Sequence, residues 1–304
     1  MPGRPAAALA RASSGNDATI ATLLRQGIAV LAPSSESPRA DAMLLLAHAL
    51  ERDRAWILAH GEAGASKALT RRFEVLCRER ATGVPLAYVV GSAGFYGREF
   101  AVDRRVLVPR PETEHLVDEA LAFLRRRSQD RRGRSTVLDV GVGSGAIACT
   151  IAAEHGSAFV EGTDVSPGAL EVARFNADRL GVGDRCRFHQ GRFAEPVEGR
   201  RFELVVANLP YVPSPELPPA PSSTAFEPRQ ALDGGADGLQ AYREFLPVVP
   251  QLLEPTFLIL FEAAPPQMAG LVRLAKRTFP GATIAVGSDF AGNARYLKLA
   301  AAAP

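Results

Sequence analysis

The chain has few of the residues that build disulfide frameworks or metal sites. Its 304 residues include only three cysteines, Cys77, Cys149 and Cys186, which are isolated from one another and have no histidine at metal-ligand spacing. We therefore expect no disulfide scaffold and no metal site, a pattern that fits a reducing cytoplasm. No apolar run reaches the roughly 18 residues that a membrane-spanning helix needs, so we expect no membrane segment.

Excess charge of one sign is also lacking. The chain has 35 basic and 33 acidic residues, for a net charge of +2, which is too small to mark a nucleic-acid-binding surface. Direct nucleic-acid binding is therefore not expected. Residues 1–15 contain Arg4, Arg11 and no acid. That composition is shared by organellar transit peptides and by frayed termini. The second interpretation is the simpler one, and we predict a cytoplasmic protein.

Residues 1–90 are predicted to form a small helical domain. Apolar residues recur at spacings of three and four between Ile20 and Leu31, which places them on one face of a helix. Ser37 and Pro38 resemble an N-cap followed by a first-turn proline. Residues 91–108, in which glycines alternate with aromatic and apolar residues, are predicted to be a β-hairpin linker.

Residues 109–304 alternate short apolar strands with helices, which predicts an α/β domain with a mostly parallel, seven-stranded, Rossmann-like sheet. Strands are expected at 136–141, 158–164, 186–190, 202–208, 256–262, 282–287 and 294–299. Helices are expected at 112–127, 145–155 and 167–181. Residues 212–238, rich in proline and glycine, interrupt this pattern and are predicted to form a binding loop or lid.

The strongest local signal is a glycine turn at the end of the first of these strands. Its residues are Gly141, Val142, Gly143, Ser144 and Gly145. Glycines let the backbone turn sharply and leave room for a ligand against the main chain, while the following helix presents N–H groups to an anionic group. A tight strand-to-helix connection without a ligand is the alternative interpretation.

An acid at the end of the next predicted strand supports the binding interpretation. Asp164 lies 21 residues after Gly143, where a carboxylate can accept hydrogen bonds from the ribose hydroxyls of an adenosine ligand. Asp164 could instead be the N-cap of the helix that begins at Ser166 and Pro167. Its pairing with the glycine turn favours the ribose role.

A tetrapeptide after the strand at 202–208 suggests what the ligand reacts with. It consists of Asn208, Leu209, Pro210 and Tyr211. An amide, a rigid proline and an aromatic ring can form a slot for a flat nitrogen nucleophile. The Asn208 side-chain oxygen and a backbone carbonyl can accept the two hydrogens of an NH2 group, and Tyr211 can pack on its flat face.

These motifs occur together with others in the order typical of a known family. The others are PRPETE within 108–114, FEP at 226–228, ALDGGADGL at 231–239 and DFAGNAR at 289–295. With them the chain resembles the bacterial protein-glutamine methyltransferases that modify peptide chain release factors, over nearly its whole length. That family also begins with a small helical domain and a hairpin.

The resemblance implies an enzyme of translation termination that transfers a methyl group from S-adenosyl-L-methionine to a glutamine side-chain nitrogen, the GGQ glutamine of release factors being the expected target. It implies that Gly141 to Gly145, Asp164 and Asn208 contact the cofactor, and that Phe193 lies beside the adenine. It also implies that Asn208 to Tyr211 surround the substrate amide, with Asn208 and Tyr211 as catalytic residues. The helical domain is expected to bind the protein substrate.

Three departures from the family pattern bear on these expectations. Leu209 replaces a proline but keeps the backbone carbonyl. Glu262 is followed by two alanines instead of an apolar residue and a glycine. Arg192 replaces an acid that binds the adenine amine, and since arginine has no acceptor, Arg192→Asp is expected to tighten cofactor binding. A glutamine of a ribosomal protein, or an amine of a nucleic-acid base, is the alternative substrate.

Overall fold

The computed structural model describes residues 18–130, 133–219, 222–289 and 291–301. The expectations for residues 1–15 lie outside them. The chain divides into two compact units, one formed by Met1–Gly91 with Pro219–Phe226 and the other by Ser92–Pro218 with Glu227–Pro304. Sequence patterns did not predict that a piece of the proline-rich insertion belongs to the first unit.

The first unit is helical. Its helices are α1 (Ile20–Leu31), α2 (Pro38–Leu50), α3 (Arg54–Ala59), α4 (Lys67–Ala81) and α5 (Leu86–Val90). Side-chain caps begin three of them, because Thr19, Asp53 and Ser66 each accept a hydrogen bond from a backbone N–H three residues later. Such caps provide acceptors for the first backbone N–H groups of a helix, which have no partner within the helix. Ser37 stands at the N-cap of α2 but makes no side-chain cap bond.

The core of this unit lies between α1, α2 and α4. Gly27 on α1 lets the Phe73 ring pack against the backbone, since a Cβ at Gly27 would lie 2.5 Å from that ring. Arg80 donates to Asp41 over 2.9 Å, with both side chains largely buried. Phe226, from the proline-rich insertion, packs against the same core.

The hairpin is built into the second unit. Its strands are β1 (Ser92–Phe95) and β2 (Arg98–Ala101), paired antiparallel. Phe95 and Phe100 are buried in the core of the α/β fold. The Asn176 side chain accepts from the Ala101 N–H over 2.8 Å and donates to the Ala101 carbonyl over 3.0 Å. The hairpin is thus anchored to helix α8 (Pro167–Arg179).

The second unit contains the predicted seven-stranded sheet. Its strands are β3 (Ser135–Val140), β4 (Ala158–Asp164), β5 (Cys186–Gln190), β6 (Phe202–Ala207), β7 (Leu253–Glu262), β8 (Thr283–Ser288) and β9 (Ala294–Ala300). The strand order is β5-β4-β3-β6-β7-β9-β8, and β9 runs antiparallel to both of its neighbours. The other pairings are parallel. The fold class and the seven strands are confirmed: every strand end lies within one residue of its predicted position, except the start of β7, which lies three residues earlier.

Helices cover both faces of this sheet because its central strands are apolar on both sides. The helices of the unit are α6 (Glu114–Asp130), α7 (Ala146–Glu154), α8, α9 (Arg229–Leu232), α10 (Gln240–Phe245) and α11 (Pro265–Thr278). Along β3, Val137 points into the core formed with α6, α7 and α8. Leu138 and Val140 belong to the opposite core, which α10 and α11 complete.

Candidate active site

A cavity of about 570 Å³ opens where β3, β4, β5 and β6 end. In parallel α/β sheets this edge is where ligands bind. Five of the residues predicted to contact the cofactor line the cavity: Gly141, Gly143, Asp164, Phe193 and Asn208. Leu209 and Pro210 also line it.

The glycine turn divides into positions that face the cavity and positions that are structural. Gly143 has a φ of 53° and open space beside it, since a Cβ there would meet no atom closer than 3.9 Å. At Gly145 a Cβ would lie 3.1–3.2 Å from Cys149 and Ala173. Gly145 therefore allows α7 to pack closely on α8, whereas Gly143 leaves the main chain accessible from the cavity.

Val142 and Ser144 do not line the cavity. Val142 is buried in the core, and Ser144 is buried with its carbonyl accepting a hydrogen bond from Asn176 over 2.9 Å. The turn itself is fixed to β4, because the N–H groups of Gly141 and Val142 both donate to the Thr163 carbonyl. Sequence spacing could not separate these supporting positions from the exposed ones.

Asp164 links the tip of β4 to the glycine turn. Its carboxylate accepts from the Gly143 N–H over 3.0 Å and from the Ser166 N–H over 2.9 Å. Burial raises the pKa of this carboxyl, and the backbone hydrogen bonds from Ser166, Gly143 and Val165 oppose that shift. The N-cap of α8 is Ser166, which accepts from the Ala169 N–H, so the alternative N-cap role for Asp164 is wrong.

Two apolar side chains line the cavity beyond Asp164. Val165 is 49% exposed although it is a large apolar residue. Phe193 stacks on Phe245 with 5.4 Å between ring centroids and has a φ of 48°, a conformation that costs energy for a bulky residue. The fold thus holds an aromatic face and an aliphatic face at the cavity, which suits a flat heterocycle. Val165 was not predicted as a site residue.

Asn208 is held by a residue from the PRPETE motif. Its side-chain Nδ2 donates to the hydroxyl of Thr113 over 3.2 Å, and Thr113 is 95% buried. This bond uses the donor end of the Asn208 amide. No hydrogen bond to the Asn208 side-chain oxygen is made by the described residues, so an acceptor remains beside the cavity.

Tyr211 is anchored at Glu262, away from the cavity wall. Its hydroxyl donates to the Glu262 carboxyl over 3.1 Å. Burial, followed by the neighbouring Glu262, raises the pKa of Tyr211 well above its usual range, so Tyr211 stays protonated. Burial also raises the pKa of Glu262, which is opposed by the hydroxyls of Thr113 and Tyr211 and by Arg295. Glu262 therefore connects the supports of both slot residues.

Leu209 is supported through Tyr242 on α10. The Tyr242 hydroxyl accepts from the Leu209 N–H over 3.4 Å and donates to the Glu262 carbonyl. Tyr242 is fully buried and packs against Phe261. Neither Thr113 nor Tyr242 was predicted to support the slot. The only sequence signal for Thr113 was its place in a family motif.

Residues of two other family motifs make hydrogen bonds within the fold. Glu227 of the FEP segment is buried, accepts from the Val108 N–H over 3.3 Å and pairs with Arg110. Asp289 accepts from the Asn293 N–H over 2.9 Å and from Arg295 over 3.0 Å. Phe290 lies outside the described residues. These contacts fix the loops that carry the motifs.

The described residues contain neither a cluster suited to a metal ion nor a helix suited to a membrane. No cluster of three or more histidine, cysteine, aspartate or glutamate side chains there is arranged to hold a metal ion. Within the same parts of the chain, no helix is both long enough and apolar enough to cross a membrane.

The fold and the cavity define an S-adenosylmethionine-dependent methyltransferase. Residues 137–223 match the family model described as a methyltransferase domain, and residues 22–91 match the PrmC N-terminal domain. The hMettl16 catalytic domain shares the fold, with a TM-score of 0.51 and 12% identity over 67% of this chain and 74% of that one.

Curated relatives identify the family. The release factor glutamine methyltransferase of Xylella fastidiosa strain Temecula1 is 40% identical over 77% of this chain and 84% of its own length. That of Moorella thermoacetica is 39% identical over 86% of this chain and 90% of its own. The chain belongs to the release factor glutamine methyltransferase family, as its motifs predicted.

Proposed function

We propose that this chain methylates the side-chain amide nitrogen of a glutamine in a peptide chain release factor, at the GGQ sequence. The relatives' names support the substrate. The observation that carries the chemistry is the Asn208 side chain, whose donor end is held by Thr113 and whose oxygen is left to accept from a substrate amide. Such a substrate places the reaction in the cytoplasm.

The cavity fits the cofactor on independent grounds. Bare main chain at Gly143 can approach a ligand closely, and the Asp164 carboxylate, which accepts hydrogen bonds from two N–H groups, has further lone pairs for ribose hydroxyls. Val165 and Phe193 offer apolar surface for the adenine. S-adenosylmethionine, when bound, supplies an electrophilic methyl group on a sulfonium.

The slot residues orient the nitrogen that receives the methyl group. An amide nitrogen is a weak nucleophile because its lone pair is delocalised into the carbonyl. The Asn208 side-chain oxygen and the Leu209 carbonyl can accept its two hydrogens, which fixes the nitrogen and favours a lone pair localised on it. These bonds strengthen as positive charge develops on nitrogen, so they stabilise the transition state more than the ground state.

Tyr211 acts in this scheme as a positioned aromatic side chain. Its raised pKa keeps the hydroxyl protonated, and the bond to Glu262 fixes the ring. We propose that the ring packs on the flat face of the substrate amide, while its hydroxyl is engaged by Glu262. We therefore assign Tyr211 to substrate packing, with no role in proton transfer.

The helical unit is proposed to recognise the protein substrate. It exposes two large apolar side chains, Leu58 at 66% and Val75 at 55%, which are suited to contact with a protein. Leu58→Glu and Val75→Glu should raise KM for the protein substrate, with little change in kcat and in cofactor affinity. Loss of cofactor affinity in either variant would contradict a role confined to substrate recognition.

The experiment that tests the proposed function offers the chain three kinds of substrate. The chain is incubated with labelled S-adenosylmethionine and with release factors, ribosomal proteins or RNA, and products are located by mass spectrometry. Methylation of the GGQ glutamine is the expected result. Exclusive labelling of a ribosomal-protein glutamine or of a base amine would overturn the release-factor assignment.

A further inference from the structure

A pair of opposite charges forms the part of the cavity wall that follows Phe193. Arg192 comes just after β5, and Glu244 lies on α10; the guanidinium donates to the carboxylate. Both side chains line the cavity. With Phe193 they also line a neighbouring cavity of about 420 Å³, so this pair is a wall shared by two cavities.

The two partners differ in what they can offer to adenine. The exocyclic amine of adenine is a donor, and a guanidinium has only donors, so Arg192 cannot bind that amine. The Glu244 carboxylate has roughly four lone-pair sites. Arg192 uses one of them, and Gln240 donates to another over 3.2 Å. Acceptor capacity therefore remains on Glu244, at the cavity wall.

The position of this acceptor relative to the apolar surfaces is also suitable. Glu244 is one residue before Phe245, on which Phe193 stacks. Arg192 lies over the Phe193 ring, with its guanidinium carbon 5.1 Å from the ring centroid. A flat base that packs on Phe193 and Val165 would present its edge to the charged pair. The Arg192 side chain fixes Glu244 by one ion pair and is itself held by the ring.

We propose that Glu244 selects adenine by accepting a hydrogen bond from its exocyclic amine, and that Arg192 is a positioning residue for that carboxylate. This inference rests on the proposed use of S-adenosylmethionine. It replaces the expectation that Arg192 simply costs the chain an acceptor. The acceptor that the family pattern has at position 192 is in this chain supplied by Glu244 on α10.

The test is a pair of binding measurements that need no protein substrate. Calorimetry would compare S-adenosylhomocysteine with S-inosylhomocysteine, in which a carbonyl oxygen replaces the amine. The wild-type chain should prefer the amine. Glu244 is 37% exposed, so solvent weakens the contact, and Glu244→Ala should lose about 10-fold in affinity for the adenosyl ligand. Affinity for the inosyl ligand should change less, so that the preference disappears.

Two further variants separate recognition from local structure. Glu244→Gln keeps one acceptor and gains a donor for the inosyl oxygen, so the preference should shrink while both ligands still bind. Glu244→Arg leaves no acceptor at either position and should abolish the preference. The double variant Arg192→Asp with Glu244→Arg has an acid at position 192 paired with an arginine at position 244. Because an acceptor is present again, the preference for the amine should be restored.

Matched controls come from two other carboxylates. Asp164→Asn should weaken both ligands by the same factor, because the ribose is common to them. Glu198 lines only the neighbouring cavity, so Glu198→Ala should change neither affinity. The proposal is overturned if Glu244→Ala keeps the full preference for the amine, weakens both ligands equally, or if the wild-type chain does not distinguish them.

The binding readout also separates this inference from the proposed reaction. A preference that depends on Glu244, together with no methylation of release factors, would leave the inference standing and defeat the proposed substrate. If release factors are methylated and the preference for the adenine amine does not depend on Glu244, the proposed substrate stands and this inference fails.

Discussion

The proposed cofactor side and the proposed substrate side of the site are constructed in different ways. The cofactor side comes from successive strand ends, with Gly143 bonded directly to Asp164 at the end of the next strand. The substrate side depends on distant supports, because Asn208 is held by a residue 95 positions earlier and Tyr211 by one 51 positions later. One side is a local backbone arrangement, and the other is a network of side chains. The two should therefore fail independently when mutated.

The largest expected effect separates the two sides at the reacting nitrogen. Asn208→Ala removes one of the two acceptors proposed for the substrate amide, so turnover should fall about 10²–10³-fold. Cofactor affinity should change far less, because the glycine turn and Asp164 are intact. Single-turnover rates and calorimetry would measure the two quantities. A fully active Asn208→Ala enzyme would rule out the amide-recognition mechanism.

The converse effect, a loss of cofactor affinity, is expected at Asp164. Asp164→Ala removes the proposed ribose acceptor and should weaken S-adenosylmethionine binding by about 1.5–3 kcal/mol, the usual range for hydrogen bonds to a charged group. Because Asp164 also accepts from Gly143 and Ser166, Asp164→Asn is the matched variant that keeps an acceptor. Unchanged affinity for S-adenosylmethionine in a folded Asp164→Ala variant would contradict the assignment of Asp164 to the ribose.

The stability of the folded protein is expected to depend on pH through a buried carboxyl group on β3. Asp139 on β3 is 1% exposed and accepts only from the Ala148 N–H among the described residues, over 3.1 Å. Burial raises its pKa from 3.8 to about 7. The folded state thus binds a proton that the unfolded state releases, and the contribution of Asp139 to stability falls as pH rises from about 4 to 7.

Asp139→Asn tests that direction. The amide keeps an acceptor for Ala148 and cannot ionise, so the variant should gain stability over the wild type from pH 4 to 7, by about 1–3 kcal/mol at the upper end. Urea unfolding at several pH values would measure the difference. A constant difference across this range would contradict a raised pKa for Asp139.

The support of the substrate side can be tested without touching the slot. Thr113→Val keeps the shape of the side chain but removes the acceptor that orients the Asn208 amide. We expect kcat to fall about 10-fold, because a single neutral hydrogen bond contributes roughly 1 kcal/mol. In addition, an Asn208 amide that has turned over would present its NH2 group, a donor, to the NH2 group of the substrate. Cofactor affinity should be unchanged, and Thr113→Ser should restore most of the rate. A Thr113→Ser variant as slow as Thr113→Val would indicate a packing role instead.

The same contrast explains what the sequence could and could not predict. The strands, the glycine turn and Asp164 were predictable because hydrophobic alternation and a fixed spacing encode them locally. Thr113, Tyr242 and Glu244 were not, because their roles arise only when separate elements meet. The ion pair between Arg192 and Glu244 was not predictable for the same reason, since the two residues are 52 positions apart in sequence.

The smallest expected effect concerns Leu209, where the family usually has proline. Leu209→Pro keeps the backbone carbonyl proposed to accept from the substrate, so turnover should stay within about three-fold of the wild type. Two contacts are lost: the 3.4 Å bond from the Leu209 N–H to Tyr242, and the packing of a side chain that is 4% exposed and lies against Gly141. Stability should therefore fall by about 1–2 kcal/mol.

Leu209→Ala is the control for this variant, because it loses the packing and keeps the N–H. If the carbonyl alone matters for catalysis, both variants should turn over at nearly the wild-type rate and differ only in their free energies of unfolding. A slow Leu209→Pro beside a fast Leu209→Ala would show that the bond to Tyr242 positions the carbonyl. The substrate side would then depend on α10 as well as on Thr113 and Glu262.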